Sequence, residues 1–209
     1  MNYVDGQFVV LPRLKNLIKS KLKYTDILTY TSLRSFDGDQ GCFPSYESIA
    51  NRAGCSRDFV IKSLKRLENG GVITIKRATK RVVRDKLPVN HYEFTRYFQF
   101  DRIPYGFFEN ELSLNDKSML LVLRQFFYNL KMRLGYQIKR ISSELGVSYK
   151  VIHQRIESLV KLGYIKKLEL NHRKGDFACK YEYTAKVDWI WNLNDIYKTQ
   201  EKVTLLMVS

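Results

Sequence analysis

The stretch from Pro44 to Arg77, PSYESIANRAGCSRDFVIKSLKRLENGGVITIKR, decides how this chain folds. Tyr46–Arg52 reads as a short helix, followed by a turn at Ala53–Gly54–Cys55 and a capping Ser56. Beyond the cap, Val60, Leu64 and Leu67 fall at i, i+4 and i+7, which makes one apolar stripe. That stripe leaves Arg57, Asp58, Lys62, Lys65 and Arg66 toward solvent. Gly70–Gly71 ends the helix, and Val72–Ile75 reads as a strand running into basic residues. The order helix, glycine turn, helix, strand is that of a helix-turn-helix leading into a wing, with a second helix suited to a major groove. A helical hairpin inside another kind of domain would use Gly54 equally well, because a sharp turn favours a residue that tolerates positive φ. The mostly cationic solvent face of the second helix favours a nucleic-acid partner.

Composition narrows the classes around that stretch. The chain has 209 residues, enough for one large domain or two small ones with real cores. Hydrophobic residues at 44% and aromatics at 13% exclude a disordered chain. Net charge is +15, which favours a polyanion, either nucleic acid or an anionic membrane surface. No apolar run approaches the ~20 residues of a spanning helix, so no membrane partner is expected. The opening MNYVDGQFVV lacks a secretory pattern. Cys42, Cys55 and Cys179 are odd in number and widely spaced, so neither a disulfide framework nor a zinc cluster is expected. A reducing, cytoplasmic compartment fits this usage.

The sequence also repeats itself. Shifted by 92 positions, Phe8 meets Phe100, Pro12 meets Pro104, Leu22 meets Leu114 and Leu28 meets Leu120. The same shift pairs Ile49 with Ile141, Gly54 with Gly146, Ser56 with Ser148, Leu67 with Leu159 and Gly71 with Gly163. After the wing the offset falls to 89, where Tyr92–Thr95 answers Tyr181–Thr184. The matched positions are core apolars, turn glycines and helix caps. The expected architecture is α+β, two tandem winged helix-turn-helix domains at 1–97 and 98–187, with an aromatic and apolar tail at 188–209 that packs on its own domain or forms an interface. In the second copy the reading places a first helix at Asn115–Leu130, a short strand at Gln137–Lys139 and a second helix at Arg140–Leu145. Ser148–Leu162 is its recognition helix, with wing strands at Tyr164–Leu170 and Phe177–Thr184. Charge is shared evenly: 17 Lys and Arg against 9 Asp and Glu in residues 1–95, and 17 against 10 in 96–190. Both copies are therefore expected to touch phosphate.

Candidate recognition-helix residues are Ser56, Arg57, Asp58 and Lys62 in the first copy. In the second they are Ser148, Tyr149, Lys150, His153, Gln154 and Arg155. Arg pairs in bidentate fashion with guanine and Gln with adenine, each such pair giving ~1–3 kcal/mol of discrimination. Arg57, Lys62, Lys150, Gln154 and Arg155 are placed to reach base edges, and Tyr149 a thymine methyl or a sugar. Lys65, Arg66 and Lys161 read as solvated residues or phosphate contacts. Wing residues Lys76, Arg77, Lys80, Arg81, Arg84 and Lys86, with His172, Arg173 and Lys174 at the second tip, suit phosphate or a narrow minor groove. There is no Gly-rich phosphate loop with Lys-Ser/Thr, no His-Glu-x-x-His and no Gly-x-Ser-x-Gly, so neither catalysis nor a cofactor is expected. His91, His153 and His172 fall on separate elements, which implies no shared metal site.

The string CFPSYESIANRAGCSRDFVIKSLKRLENGGVI at 42–73, with Phe8–Pro12 and Leu22–Leu33, resembles the helix-turn-helix domains of plasmid and phage replication initiators. LSLNDKSMLLVL at 112–123 is similar to the first helix of the same domains. The resemblance implies sequence-specific binding of double-stranded DNA at the origin of a plasmid, phage or other mobile element. It further implies host replication proteins as partners and homodimerisation as an available state. Two alternatives stand beside it. One is a transcriptional regulator from a mobile element, and the other is a winged-helix interaction module that inhibits or recruits a host factor.

Overall fold

The computed structural model of the chain describes residues 8–13, 17, 22–78, 89–126, 131–133, 136–169 and 181–185. In the first half, β1 is Phe8–Pro12, α1 Asp26–Arg34, α2 Tyr46–Ala53, α3 Arg57–Asn69, β2 Ile73–Lys76 and β3 His91–Phe94. In the second half, β4 is Phe100–Pro104, followed by a 3-10 turn at Tyr105–Glu109 and α4 at Leu114–Arg124. Then come β5 Lys131–Arg133, α5 Tyr136–Leu145, α6 Tyr149–Lys161, β6 Ile165–Glu169 and β7 Tyr181–Ala185. The molecule is α+β, with small antiparallel sheets beside the helices.

Local chemistry sets the ends of α2 and α3. The Ser45 hydroxyl accepts the Ser48 N–H at 3.0 Å, and the Ser56 hydroxyl accepts the Phe59 N–H at 3.2 Å. Each cap satisfies a donor that the first helical turn leaves open. Between the helices, Gly54 sits at φ 67°, ψ 45°, a left-handed conformation that a Cβ disfavours. A Cβ at Gly54 would also lie 3.3 Å from the Lys117 amine. Gly54→Ala is therefore expected to cost about 1–2 kcal/mol of stability, read as a lower urea midpoint.

The stripe on α3 does what its spacing requires. Val60, Leu64 and Leu67 are at most 1% exposed, each contributing about 1.5–3 kcal/mol of transfer free energy. They face α1, whose residues from Asp26 to Leu33 are all buried because α2, α3, β1 and α4 surround it. The wing strands pair antiparallel, from Ile73 opposite Phe94 to Lys76 opposite His91. Beside them Cys42 makes a single bridge to Tyr92 and not a full strand. Pro44 has no N–H with which to extend it.

The second half corrects several expected boundaries. Gln137–Lys139 is not a strand but part of α5, and the strand lies earlier, at Lys131–Arg133. Ile138, Ile141 and Leu145 explain this, since they fall at i, i+3 and i+7 and are all buried. Helix α4 ends at Arg124, so of the expected Asn115–Leu130 the part to Arg124 is helical and Gln125–Phe126 is a turn; 127–130 lie outside the described residues. The last strand is also shifted. Tyr92 lies opposite Ile75, whereas Tyr183 lies opposite Lys167 and Tyr181 opposite Glu169. Tyr92 and Tyr183 are thus the tyrosines that face Ile75 and Lys167, positions 92 apart, where an offset of 89 pairs Tyr92 with Tyr181. Burial agrees, with Tyr92 at 1% and Tyr183 at 0%.

Contacts between the halves are extensive. Strands β1 and β4 form their own antiparallel pair, with Phe8 opposite Pro104, Val10 opposite Arg102 and Pro12 opposite Phe100. Helix α1 packs directly on α4. The Tyr24 hydroxyl donates to Asn115 Oδ1 at 2.9 Å, and the Tyr105 hydroxyl to the Ser35 carbonyl at 2.9 Å. The Arg52 guanidinium lies over the rings of Phe36, Tyr105 and Phe108. One hydrophobic cluster runs through both halves, from Val9 and Leu28 to Ile156 and Tyr183.

Candidate nucleic-acid interface

Helix α3 buries its apolar stripe and leaves the opposite face open. Ser56, Arg57, Asp58, Lys62 and Lys65 are all exposed. Lys62 and Lys65 have no ion-pair partner among the described residues, so their charge faces water. Arg57 lies at the start of the helix, its guanidinium 5.7 Å from the centre of the Tyr46 ring. It borders a groove of about 370 Å³ that Ser45, Tyr46, Asn90 and Tyr92 also line. Ser56 is the cap, and its hydroxyl is already engaged by the Phe59 N–H.

Arg66 departs from the expectation of a solvated or phosphate-facing residue. Its Nε donates to Asp26 Oδ2 at 2.8 Å and its Nη2 to Oδ1 at 2.6 Å. Asp26 is 1% exposed and also accepts the Ser63 hydroxyl at 2.7 Å and the Lys23 N–H at 2.9 Å. Each carboxylate oxygen thus receives two hydrogen bonds, filling the acceptor capacity of an ionised carboxylate. The bond to Asp26 raises the Arg66 pKa above its ordinary value and keeps the guanidinium charged. This tie fixes α3 against α1 and sets the orientation of the exposed face.

Helix α6 is built on the same plan. Ser148 caps it, accepting the Val151 N–H at 3.4 Å, and Ile152, Ile156 and Leu159 are fully buried. Gly146 supplies the preceding turn at φ 61°. Ser148, Tyr149, Lys150 and Gln154 are exposed, and Lys150 has no ion-pair partner among the described residues. Tyr149 stacks on His153, with ring centres 6.1 Å apart. His153 Nε2 stands 3.9 Å from Glu157, which also pairs with Lys167 at 2.7 Å. That Lys167 bond holds the Glu157 carboxyl below its ordinary pKa.

Arg155 is not free on the exposed face of α6. Its Nη1 lies 3.6 Å from Oδ1 of Asp116, a residue whose side chain is 7% exposed. The other Asp116 oxygen accepts the Ser113 hydroxyl at 2.6 Å and the Ser158 hydroxyl at 3.3 Å. Across the halves, burial raises the Tyr24 phenol above its ordinary pKa while neighbouring Arg155 opposes the shift. Both halves therefore use one buried Asp with one Ser and one Arg from the exposed-face helix. Ser63 and Arg66 serve in the first, Arg155 and Ser158 in the second. At an offset of 92 the Ser and the Arg have exchanged places. Asp26, Ser63, Asp116 and Ser158 are not among the residues that the sequence pattern singles out. The available signal was an acidic residue at the start of each apolar first helix, with a serine inside or beside the stripe of the next.

The wings give a mixed result. Lys76 and Arg77 are exposed but paired, with Glu93 and Glu68. Lys80, Arg81, Arg84, Lys86, His172, Arg173 and Lys174 lie outside the described residues, as do the tail at 188–209 and Cys179. Cys55, in the turn between α2 and α3, has its thiol pushed up to about 11 by burial, against the opposing pull of Lys117. Burial pushes Cys42 up to about 12. Among the described residues no group of three or more His, Cys, Asp or Glu is placed to hold a metal ion. No described helix is long and apolar enough to cross a membrane.

No curated protein and no solved structure matches the chain. Residues 20–73, which contain α1, the capped helices α2 and α3 and the turn at Gly54, match a family model described as a helix-turn-helix domain.

Proposed function

We propose that the chain is a sequence-specific double-stranded DNA-binding protein made of two winged-helix units, 1–97 and 98–187, that acts by binding and not by catalysis. The observation that carries this reading is the exposed face of α3, where Arg57, Lys62 and Lys65 project from a helix fixed by a cap, a buried stripe and the Asp26 tie. The equivalent face of α6, with Tyr149, Lys150 and Gln154, supports a second reader. The centring of the β1–β4 pair on Val10 and Arg102, which are 92 residues apart, supports two units of one plan.

Within that reading the role is origin binding in the replication of a plasmid, phage or other mobile element, in the cytoplasm. Host replication proteins and a second copy of the chain are its further partners. The resemblance of residues 42–73 and 112–123 to initiator domains supports this role over transcriptional regulation.

The test is duplex binding by the full chain and by the variant Arg57→Ala/Lys62→Ala/Lys150→Ala. If each side chain reaches a base edge or phosphate, the triple variant should bind at least ~100-fold more weakly, with an unchanged circular dichroism spectrum. Equal affinity would leave the interaction-module reading in its place.

A further inference from the structure

The two halves meet in a way that specifies the geometry of the DNA they would read. In the β1–β4 pair, Val10 lies opposite Arg102, and the register runs from Phe8 opposite Pro104 to Pro12 opposite Phe100. Antiparallel strands exchange under a rotation of 180° about an axis through a facing pair. Placed between Val10 and Arg102, that rotation carries Phe8 onto Phe100 and Pro12 onto Pro104. Those are the residues that the 92-residue offset equates. Helix α1 packs on α4, its counterpart, as elements beside such an axis must. Helices α3, Arg57–Asn69, and α6, Tyr149–Lys161, have equal lengths and bounds 92 apart. The strand pair and the helix pair at the junction thus have the two-fold form of an isologous dimer interface within one chain.

A duplex has its own two-fold axes perpendicular to its length. Two readers related by a rotation engage one duplex equivalently only when the protein axis lies on one of these, which makes the half-sites inverted. Readers related by translation would instead require direct repeats. From this geometry, and resting on the two-unit DNA-binding reading above, we infer that a single chain binds one duplex at a site of two inverted half-sites that differ in sequence. The half-sites differ because the readers do. Arg57, Asp58 and Lys62 on α3 are answered by Tyr149, Lys150 and Gln154 on α6. Both readers sit on one face of the duplex if the half-site centres are about one helical turn apart, ~10 base pairs.

The experiment selects bound duplexes from a random pool with the full chain and with the variant Tyr149→Arg/Lys150→Asp/Gln154→Lys, which gives α6 the exposed face of α3. For the native chain the selected site should contain two unlike blocks, bound by one chain per duplex in native mass spectrometry. Scrambling either block should weaken binding ~10-fold or more. For the variant, the second block should become an inverted copy of the first. A direct copy, a site with one block, or two chains per site would overturn the inference while leaving DNA binding intact. Absence of duplex binding by the native chain would overturn the reading beneath it as well. Should the variant not fold, phosphate-ethylation interference on the native complex decides instead. Contacted phosphates mirrored about one axis support the inference, and a pattern repeated by translation overturns it.

Discussion

Replacing Asp26 with alanine is expected to remove about 3 kcal/mol or more of folding stability, far beyond what an exposed ion pair contributes. The carboxylate is buried and receives four hydrogen bonds, two from Arg66 and one each from Ser63 and the Lys23 N–H. Its loss leaves the Ser63 hydroxyl buried without a partner and the Arg66 guanidinium, with a side chain 25% exposed, without a counter-ion. The retained exposure lets Arg66 recover part of its hydration, which sets the loss toward the lower end of the ~3–5 kcal/mol typical of a broken buried pair. Asp26→Asn keeps an acceptor for Ser63 but still strands the charge, so it should fall between alanine and the native residue. Asp116→Ala should cost only about 1–2 kcal/mol, because Arg155 stands 3.6 Å away and its side chain is one-third exposed. Urea unfolding of the three variants checks the order. Equal midpoints for Asp26→Ala and Asp116→Ala would show that the four-bond geometry does not set the difference.

That tie marks where the sequence stops being readable. The helix pair around Gly54 was legible almost to the residue, with α2 observed at Tyr46–Ala53 and expected at Tyr46–Arg52, because caps, turn glycine and stripe are local. The Asp26–Arg66 bond joins residues 40 apart, and nothing in the local pattern of either helix announces it. Arg66 and Arg155 read as outward because they flank the stripes. A long side chain at the edge of a stripe can fold back to a buried acid, however, and both do. The start of α5 is not legible because Gln137–Lys139 is too short to separate strand from helix until Leu145 is counted in its face. For β7, matching Tyr92 to Tyr181 satisfies side-chain type but not burial.

The same distinction between free and engaged cations governs the salt dependence of binding, where the largest effect is expected. If the two readers and wings neutralise 6–10 phosphates, affinity should drop by roughly 10³ to 10⁵ between about 50 and 200 mM salt. Not every basic residue contributes equally to that slope. Lys62, Lys65, Lys150 and Lys161 are exposed and have no ion-pair partner among the described residues, so a phosphate meets them without displacing an acid. Lys76 and Arg77 already face Glu93 and Glu68, and a phosphate must compete with those carboxylates. Lys62→Ala should therefore reduce the log–log slope by nearly ~0.9, the increment for one phosphate contact on duplex DNA. Lys76→Ala should reduce it by less, and Glu93→Gln, which frees Lys76, should steepen it. Gln154→Ala should weaken binding to the selected site with no change in slope, because an amide reading a base edge releases no counter-ion. Anisotropy titrations of the full chain at four or more salt concentrations measure all of these together. A native slope near zero would mean that the net charge of +15 does not meet a polyanion. Equal slopes for Lys62→Ala and Lys76→Ala would mean that the acids beside the wing do not hold their partners once DNA arrives.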